Sequence, residues 1–235
     1  MPDLSGQARA ESEKLFDGIA PRYDRANRLL SLGLDRGWRK KAVAALKPFR
    51  PRCLLDLATG SGDLALAALD AGVEQITAVD ISARMMAAAA AKIAKVENGE
   101  RIVLRRAAAE SLPFADESFD AVIVGFGVRN FADLDKGLSE MRRILKPGGV
   151  AVILEFSLPS AFPARSLHRF YLRKIVPLIG WLASGSRAPY VHLGESILTF
   201  PDGAAFIAVL KRNGFKRMTY RRLSFGACSI YTAIK

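Results

Sequence analysis

The chain has 235 residues, half of them hydrophobic and a quarter charged, which is ordinary for one globular α/β domain and excludes a largely disordered chain. Its two cysteines, Cys53 and Cys228, stand far apart and outside any CxxC or His-rich pattern, so a disulfide framework is excluded and a reducing compartment fits best. Net charge is +12 and unevenly placed: residues 161–235 hold 12 Lys/Arg against only Glu195 and Asp202, a surplus that suits nucleic acid, an anionic membrane surface or a solvated face.

In chain order, Met1 to Gln7 lack the basic-then-apolar pattern of a secretory signal, so a cytoplasmic location is expected. Two helical stretches, Glu11 to about Gly18 and Arg36 to about Leu46, joined by Ala20–Gly33, read as an N-terminal cap over 11–47. From Arg52, strands are predicted at 52–58, 75–80, 101–106, 119–126 and 149–156, with helices at 62–71, 83–95 and 133–145 between them. Apolar strands alternating with helices mean an α/β fold, a doubly wound parallel sheet covered on both faces. Leu145-Lys-Pro-Gly-Gly149 announces the fifth strand, its proline and paired glycines stopping a helix and turning the chain.

Residues 157–200 break the alternation with Pro159, Pro163, Pro177 and Pro189 among amphipathic pieces, and read as an insertion over the sheet's carboxyl edge, capping a substrate pocket. Its most apolar piece, Ile175–Ala183, is nine residues long and contains Pro177 and Gly180, far short of the roughly 20 apolar residues a spanning helix needs. Beside it, His168-Arg-Phe-Tyr-Leu-Arg-Lys174 interleaves aromatics with cations, which favours an interfacial segment over a duplex-binding one. A helix at 202–213 and two strands, about 215–223 and 227–234, close a single domain as a hairpin around Phe225.

The stretch whose residue types demand a ligand is Leu54–Asp63, an apolar strand containing Asp56 that runs into Gly60-Ser61-Gly62 and a helix start. Backbone N–H groups left bare by such a glycine turn suit a nucleotide-like molecule. Asp80 ends the next predicted strand, where a carboxylate meets the two hydroxyls of a ribose. Gly60 to Ala65 also fits the looser dinucleotide fingerprint, so NAD stays open on this loop alone.

The glycine loop, Asp80, the Leu112-Pro-Phe and Ser118-Phe-Asp120 lead-in to strand four, and Leu145–Gly149 together resemble a class I S-adenosylmethionine-dependent methyltransferase. Tyr23-Asp24-x-x-Asn27, Ser31-x-Gly33, Arg36-x-Trp38, Phe126-Gly-Val-Arg-Asn130, Leu154-Glu-Phe-Ser-x-Pro159, Glu195-Ser-Ile197 and Phe200-Pro201 then resemble the UbiE/MenG family, from about Phe16 to Lys235. The resemblance implies seven strands with the last antiparallel. It implies S-adenosylmethionine as cofactor and methyl transfer to a ring carbon of a lipophilic quinol, demethylmenaquinol or 2-polyprenyl-6-methoxy-1,4-benzoquinol.

Its cofactor positions fall on Asp56, Gly60, Ser61, Gly62, Asp80, Ala108, Ala109 and Gly125. Ala108 stands where Asn or Asp is usual, Gly125 where Ser is frequent, Asp35 where the family often has His, and His192 where Tyr is frequent. A ring carbon becomes nucleophilic when a quinol hydroxyl loses its proton. Arg129 is the first candidate to hold the developing phenolate, with Asn130 orienting the same oxygen, and Tyr23 and Asp24 closing over the ring; Asp24 or His192 is a candidate base. The sequence contains no recognisable nucleophile–His–acid set and no metal-ligand cluster.

A peripheral contact with the inner face of an anionic membrane is expected from Leu29–Leu34 and Ile175–Ala183 beside the basic residues; no nucleic-acid partner is expected. Two other readings stay open: a methyltransferase for nucleic acid or another small molecule, and a non-catalytic S-adenosylmethionine-binding module.

Overall fold

A computed structural model describes residues 23–235 and, ahead of them, Gly6, Ala10, Glu13, Lys14, Asp17 and Gly18. Seven strands form one sheet: β1 (Cys53–Leu57), β2 (Gln75–Asp80), β3 (Ile102–Arg106), β4 (Phe119–Gly125), β5 (Leu145–Phe156), β6 (Lys216–Leu223) and β7 (Cys228–Ile234). Their spatial order is β3-β2-β1-β4-β5-β7-β6. Pairing is parallel from β3 through to β5, and β7 runs antiparallel to both neighbours, as expected for the last strand. The chain leaves β1 toward β2 on one side and reaches β4 on the other, so a crevice opens beyond the carboxyl ends of β1 and β4.

The central strands are apolar on both sides because helices cover both faces. Leu54, Leu55, Ala121–Val124 and Val150–Leu154 are all sealed from solvent. On one face lie α2 (Leu34–Ala44), α3 (Asp63–Asp70) and α4 (Ala83–Ile93), packed through Trp38, Val43, Leu64, Ala89 and Ile93. On the other lie α5 (Leu134–Ile144) and α9 (Ala204–Arg212), packed through Leu138, Met141, Ile144, Phe206 and Leu210. Ser82 caps α4 by accepting the Met85 N–H at 3.1 Å, and Asp133 caps α5 by accepting that of Lys136 at 3.0 Å.

The insertion is helical: α6 (Ala164–Phe170), a π-helical turn (Tyr171–Ile175), α7 (Val176–Ser184) and α8 (Ala188–Thr199). A third, small cluster of Ala26, Leu172, Val176, Tyr190 and Ile197 joins these helices to α1 (Tyr23–Leu30).

Two predicted boundaries move. The segment 20–33, read as a connection, contains α1, whose Ala26 and Leu30 lie one turn apart and face the insertion. Arginines at 25 and 28 mask that short apolar face in the sequence, and tertiary packing decides the outcome. Strand β5 begins at Leu145, which already pairs with Phe119. The expected turn is absorbed as an irregularity in the β4–β5 ladder, with Gly148 at φ +75°. Of the helix expected over Glu11–Gly18, Glu13, Lys14, Asp17 and Gly18 are described, and all four are helical. The hairpin turn is Ser224–Gly226, after the basic edge strand β6, which carries Lys216, Arg217, Arg221 and Arg222.

Leu138 is sealed between α5 and the sheet. Leu138→Ala should destabilise the fold by about 2–5 kcal/mol, read from the shift of the urea midpoint at constant slope.

Candidate active site

Strand β1 is buried from Leu54 onward, and the chain turns sharply once it emerges from the sheet. Ala58, Gly60 and Gly62 take positive φ of 55°, 57° and 84°. At Gly62 the need is doubled, since a Cβ there would stand 3.1 Å from that of Ala89 on α4. Asp80, at the tip of β2, fastens this loop: Oδ2 accepts the Gly60 N–H at 2.8 Å and Oδ1 that of Ser82 at 2.9 Å. Burial pushes the Asp80 carboxyl above its ordinary range, with those two amides pulling the other way. Each oxygen keeps a lone pair for a further donor.

The crevice is open to solvent and takes in about 690 Å³ counting its mouth. Its walls include Gly60, Asp80, Ala108, Ala109, Gly125 and Asn130 of the expected residues. They also include Phe126 and Gly127 of the Phe126–Asn130 motif, and Ile81, Met85, Glu110 and Phe131, which sequence reasoning did not single out. Ile81 and Met85 follow Asp80 directly and were within its reach. Glu110 is legible only in three dimensions: it is buried and accepts the Ala132 N–H at 2.7 Å, shaping the opposite wall. At Gly125 a Cβ would meet Leu64 Cδ2 at 3.0 Å, so the missing side chain matches the room available.

Three expected cofactor positions lie outside this lining. Asp56 is fully buried under the loop and accepts the Thr59 hydroxyl at 2.6 Å; burial pushes its carboxyl up to about 7, opposed by that bond. Gly62 is covered by α4. Ser61 is turned toward the cap: its hydroxyl donates to Asp24 at 2.5 Å and accepts from the Lys92 ammonium at 2.9 Å.

Lys92 also pairs with Asp24 at 2.5 Å and Asp63 at 2.6 Å. Asp63 lies 3.7 Å from Arg39, which is bound to Asp35. Burial would raise the Asp35 carboxyl, but the Arg39 guanidinium and the Ser31 hydroxyl hold it below the usual carboxylate range. A chain of charges thus ties the cap to the glycine loop. Two further carboxylates from the N-terminal segment reach the same rim, Asp17 on the Ser82 hydroxyl and Glu13 on Arg106.

The expected catalytic residues are divided. Asn130 lines the crevice, with its side-chain amide 3.5 Å from the Phe126 carbonyl. Arg129 sits behind the wall with a nearly buried guanidinium. Its Nη1 donates to Phe126 O at 2.6 Å and to Glu155 Oε1 at 2.7 Å, and its Nε to Ser196 Oγ at 3.3 Å. Asp24 is committed to Lys92 and Ser61 as a fastener, which leaves it poorly placed as a base. The Tyr23 side chain lies outside what the structure describes. His192 and Glu195 lie on the exposed side of α8, away from the crevice lining. Trp38 and Phe156 cluster with Phe126 of the wall, the two phenylalanine rings stacked at 4.4 Å.

An adenosine-bearing donor fits these residues: a carboxylate with spare acceptor capacity at the tip of β2, a glycine loop beside it, and apolar walls from Ile81, Met85 and Phe131. A parallel sheet with a single reversed strand and this crevice at the switch point define a class I S-adenosylmethionine-dependent methyltransferase. A Thermotoga maritima structure described as a SAM-dependent methyltransferase, possibly a histamine N-methyltransferase, shares the fold with a TM-score of 0.66 at 20% identity, over 94% of this chain and 99% of that one. The model of the ubiE/COQ5 methyltransferase family matches residues 5–235, and the chain belongs to that family. It is 46% identical to the demethylmenaquinone methyltransferase of Bacteroides fragilis, over 98% of this chain and 94% of that protein. It is 43% identical to the ubiquinone/menaquinone biosynthesis C-methyltransferase UbiE of Geotalea daltonii, over 95% of each.

Because the folded-state pKa of Asp56 is raised, to about 7 from an ordinary 3.8, the native state holds a proton the unfolded chain has lost. Its contribution is therefore present below about pH 4 and lost as pH rises to about 7. Asp56→Asn should remove this dependence, so that its stability relative to wild type is greater at pH 8 than at pH 5 by about 1–4 kcal/mol in urea denaturation.

Proposed function

We propose that the chain methylates a ring carbon of a lipophilic quinol, demethylmenaquinol or 2-polyprenyl-6-methoxy-1,4-benzoquinol. The observation that carries this is identity of 46% and 43% to quinone-pathway methyltransferases, over nearly the whole chain. Bound in the crevice, S-adenosylmethionine supplies a methyl group made electrophilic by its sulfonium. The protein's own task is to place a ring carbon behind that group and to keep water out.

Asn130, on the crevice wall, hydrogen-bonds the quinol oxygen that loses its proton. Arg129 lies one residue away with its charge partly balanced by Glu155, and lends positive potential to that oxygen without accepting a proton. Phe126 and Phe131 supply apolar wall for the flat ring. Purified protein with labelled S-adenosylmethionine and demethylmenaquinol should yield labelled menaquinol. Asn130→Ala should lower kcat by about 10²-fold with cofactor affinity held within about twofold by calorimetry, and an equal loss in both would remove its role.

The quinol is delivered from an anionic membrane surface on this reading. Leu29, Leu32 and Leu34 on the cap and Leu178, Trp181 and Leu182 on α7 are exposed, and α1 packs against α7. Leu167 and Phe170 on α6 extend the apolar surface. Arg165, Arg169, Arg173, Lys174 and Arg187 surround it, and residues 156–194 contain no acid. An apolar face rimmed by cations suits the headgroup boundary of a bilayer. No single helix among the described residues is long and apolar enough to cross one. Binding to vesicles with anionic lipid should exceed that to neutral vesicles by at least about tenfold at low salt, since each cation contributes about 1 kcal/mol. Trp181→Ala should reduce it, and equal binding to both vesicle types would rule the surface out.

A further inference from the structure

Glu155, the penultimate residue of β5, lies inside the protein with no exposed surface. Its neighbours along the strand are apolar, and a carboxylate in such a place is costly unless every oxygen is engaged. Oε1 accepts Arg129 Nη1 at 2.7 Å and the Phe156 N–H at 2.8 Å; Oε2 lies 3.4 Å from the Arg129 backbone N–H. The guanidinium it anchors also donates to the Phe126 carbonyl and stands 5.2 Å over the Phe156 ring.

That carbonyl belongs to a constrained turn of the crevice wall. Phe126 adopts φ +60°, costly for an aromatic residue. Ala58 faces it with φ +55°, and a Cβ on Gly127 would lie 2.5 Å from that of Ala58. The Phe126 N–H bonds Leu154 O at 2.7 Å, and the carbonyl of the same residue is held by Arg129 of the buried pair. Gly125, Phe126 and Gly127 therefore keep their place in the wall through a line that runs Glu155 to Arg129 to Phe126.

A buried ion pair adds little net stability over an apolar pair of the same volume. Its geometric content, here a guanidinium with one orientation, is what the turn uses. We propose that Glu155 is a positioning residue for methyl transfer, acting through Arg129 to hold the Phe126–Gly127 turn against which the acceptor ring is set. The proposal rests on the quinol reading above, because it needs an acceptor at that wall. It assigns no proton transfer to Glu155, which does not line the crevice.

The test compares wild type, Glu155→Ala and Glu155→Gln for kcat and KM with demethylmenaquinol, for S-adenosylmethionine affinity by calorimetry, and for Trp38 fluorescence, which senses the Phe126–Phe156 stack from about 6 Å. Glu155→Ala should lower kcat about 10²-fold, the effect expected of an ångström-scale misplacement, with cofactor affinity within about twofold and altered Trp38 emission. Glu155→Gln, which keeps shape and an acceptor oxygen, should recover about tenfold of that loss. Turnover of Glu155→Ala within about threefold of wild type, or a cofactor affinity that falls in step with kcat, overturns the proposal. Should Glu155→Ala fail to fold, the isosteric Glu155→Gln decides by the same split: kcat lowered about tenfold with affinity kept supports it, and unchanged kcat overturns it. A wild type that transfers no methyl to the quinol defeats the substrate reading and this proposal with it, whereas an active wild type with an equally active Glu155→Ala defeats this proposal alone.

Discussion

The 2.8 Å bond from the Gly60 N–H to Asp80 joins the ends of two parallel strands, and the donor site is organised around it. Parallel strands require each connection to cross back over the sheet, so their carboxyl ends emerge together with loops and no further pairing. Where the crossovers diverge on either side of β1, those loops part and leave a crevice. Asp80 closes its floor by holding the glycine turn against β2, and it remains half-buried, with one side open to the crevice. Glu110 on the far wall performs a similar service for the backbone at Ala132.

The cap adds an electrostatic layer. Asp24, Asp17 and Glu13 meet Lys92 within α4, Ser82 at the cap of α4 and Arg106 at the end of β3. Individually such partly exposed contacts contribute little. Distributed around one opening, they couple the seating of the N-terminal segment to the shape of the donor site, and Ser61 is shared between the two. Its side chain thereby serves the cap rather than the crevice lining.

Much of this was legible in the residues themselves. β–α alternation fixed the order of the elements to within a few positions, because strands buried on both faces admit few polar residues. The glycine turn and Asp80 were readable as a pair since each has a local chemical reason. What escaped was long-range. Glu155 looks like one acid in an apolar strand, and its partner stands 26 residues earlier, joined to it only when β4 and β5 lie side by side. Lys92 sits in an alanine-rich helix where a lone cation reads as solvent-facing, yet it gathers two aspartates. The helix α1 was hidden because two apolar positions one turn apart are too few to reveal a period, and packing against the insertion completes it.

The outermost strand β6 has a side that pairs with nothing among the described residues. An open edge of this kind offers itself to the same edge of another molecule. Four cations along eight residues make that encounter repulsive, so this protein guards its sheet with like charge as well as with the ladder irregularity between Lys216 and Thr219. On the membrane reading proposed above, the cationic surplus of the C-terminal third divides between two duties, one toward lipid on the insertion and one that keeps neighbouring copies from zipping together; polyanions that neutralise the strand would expose the second.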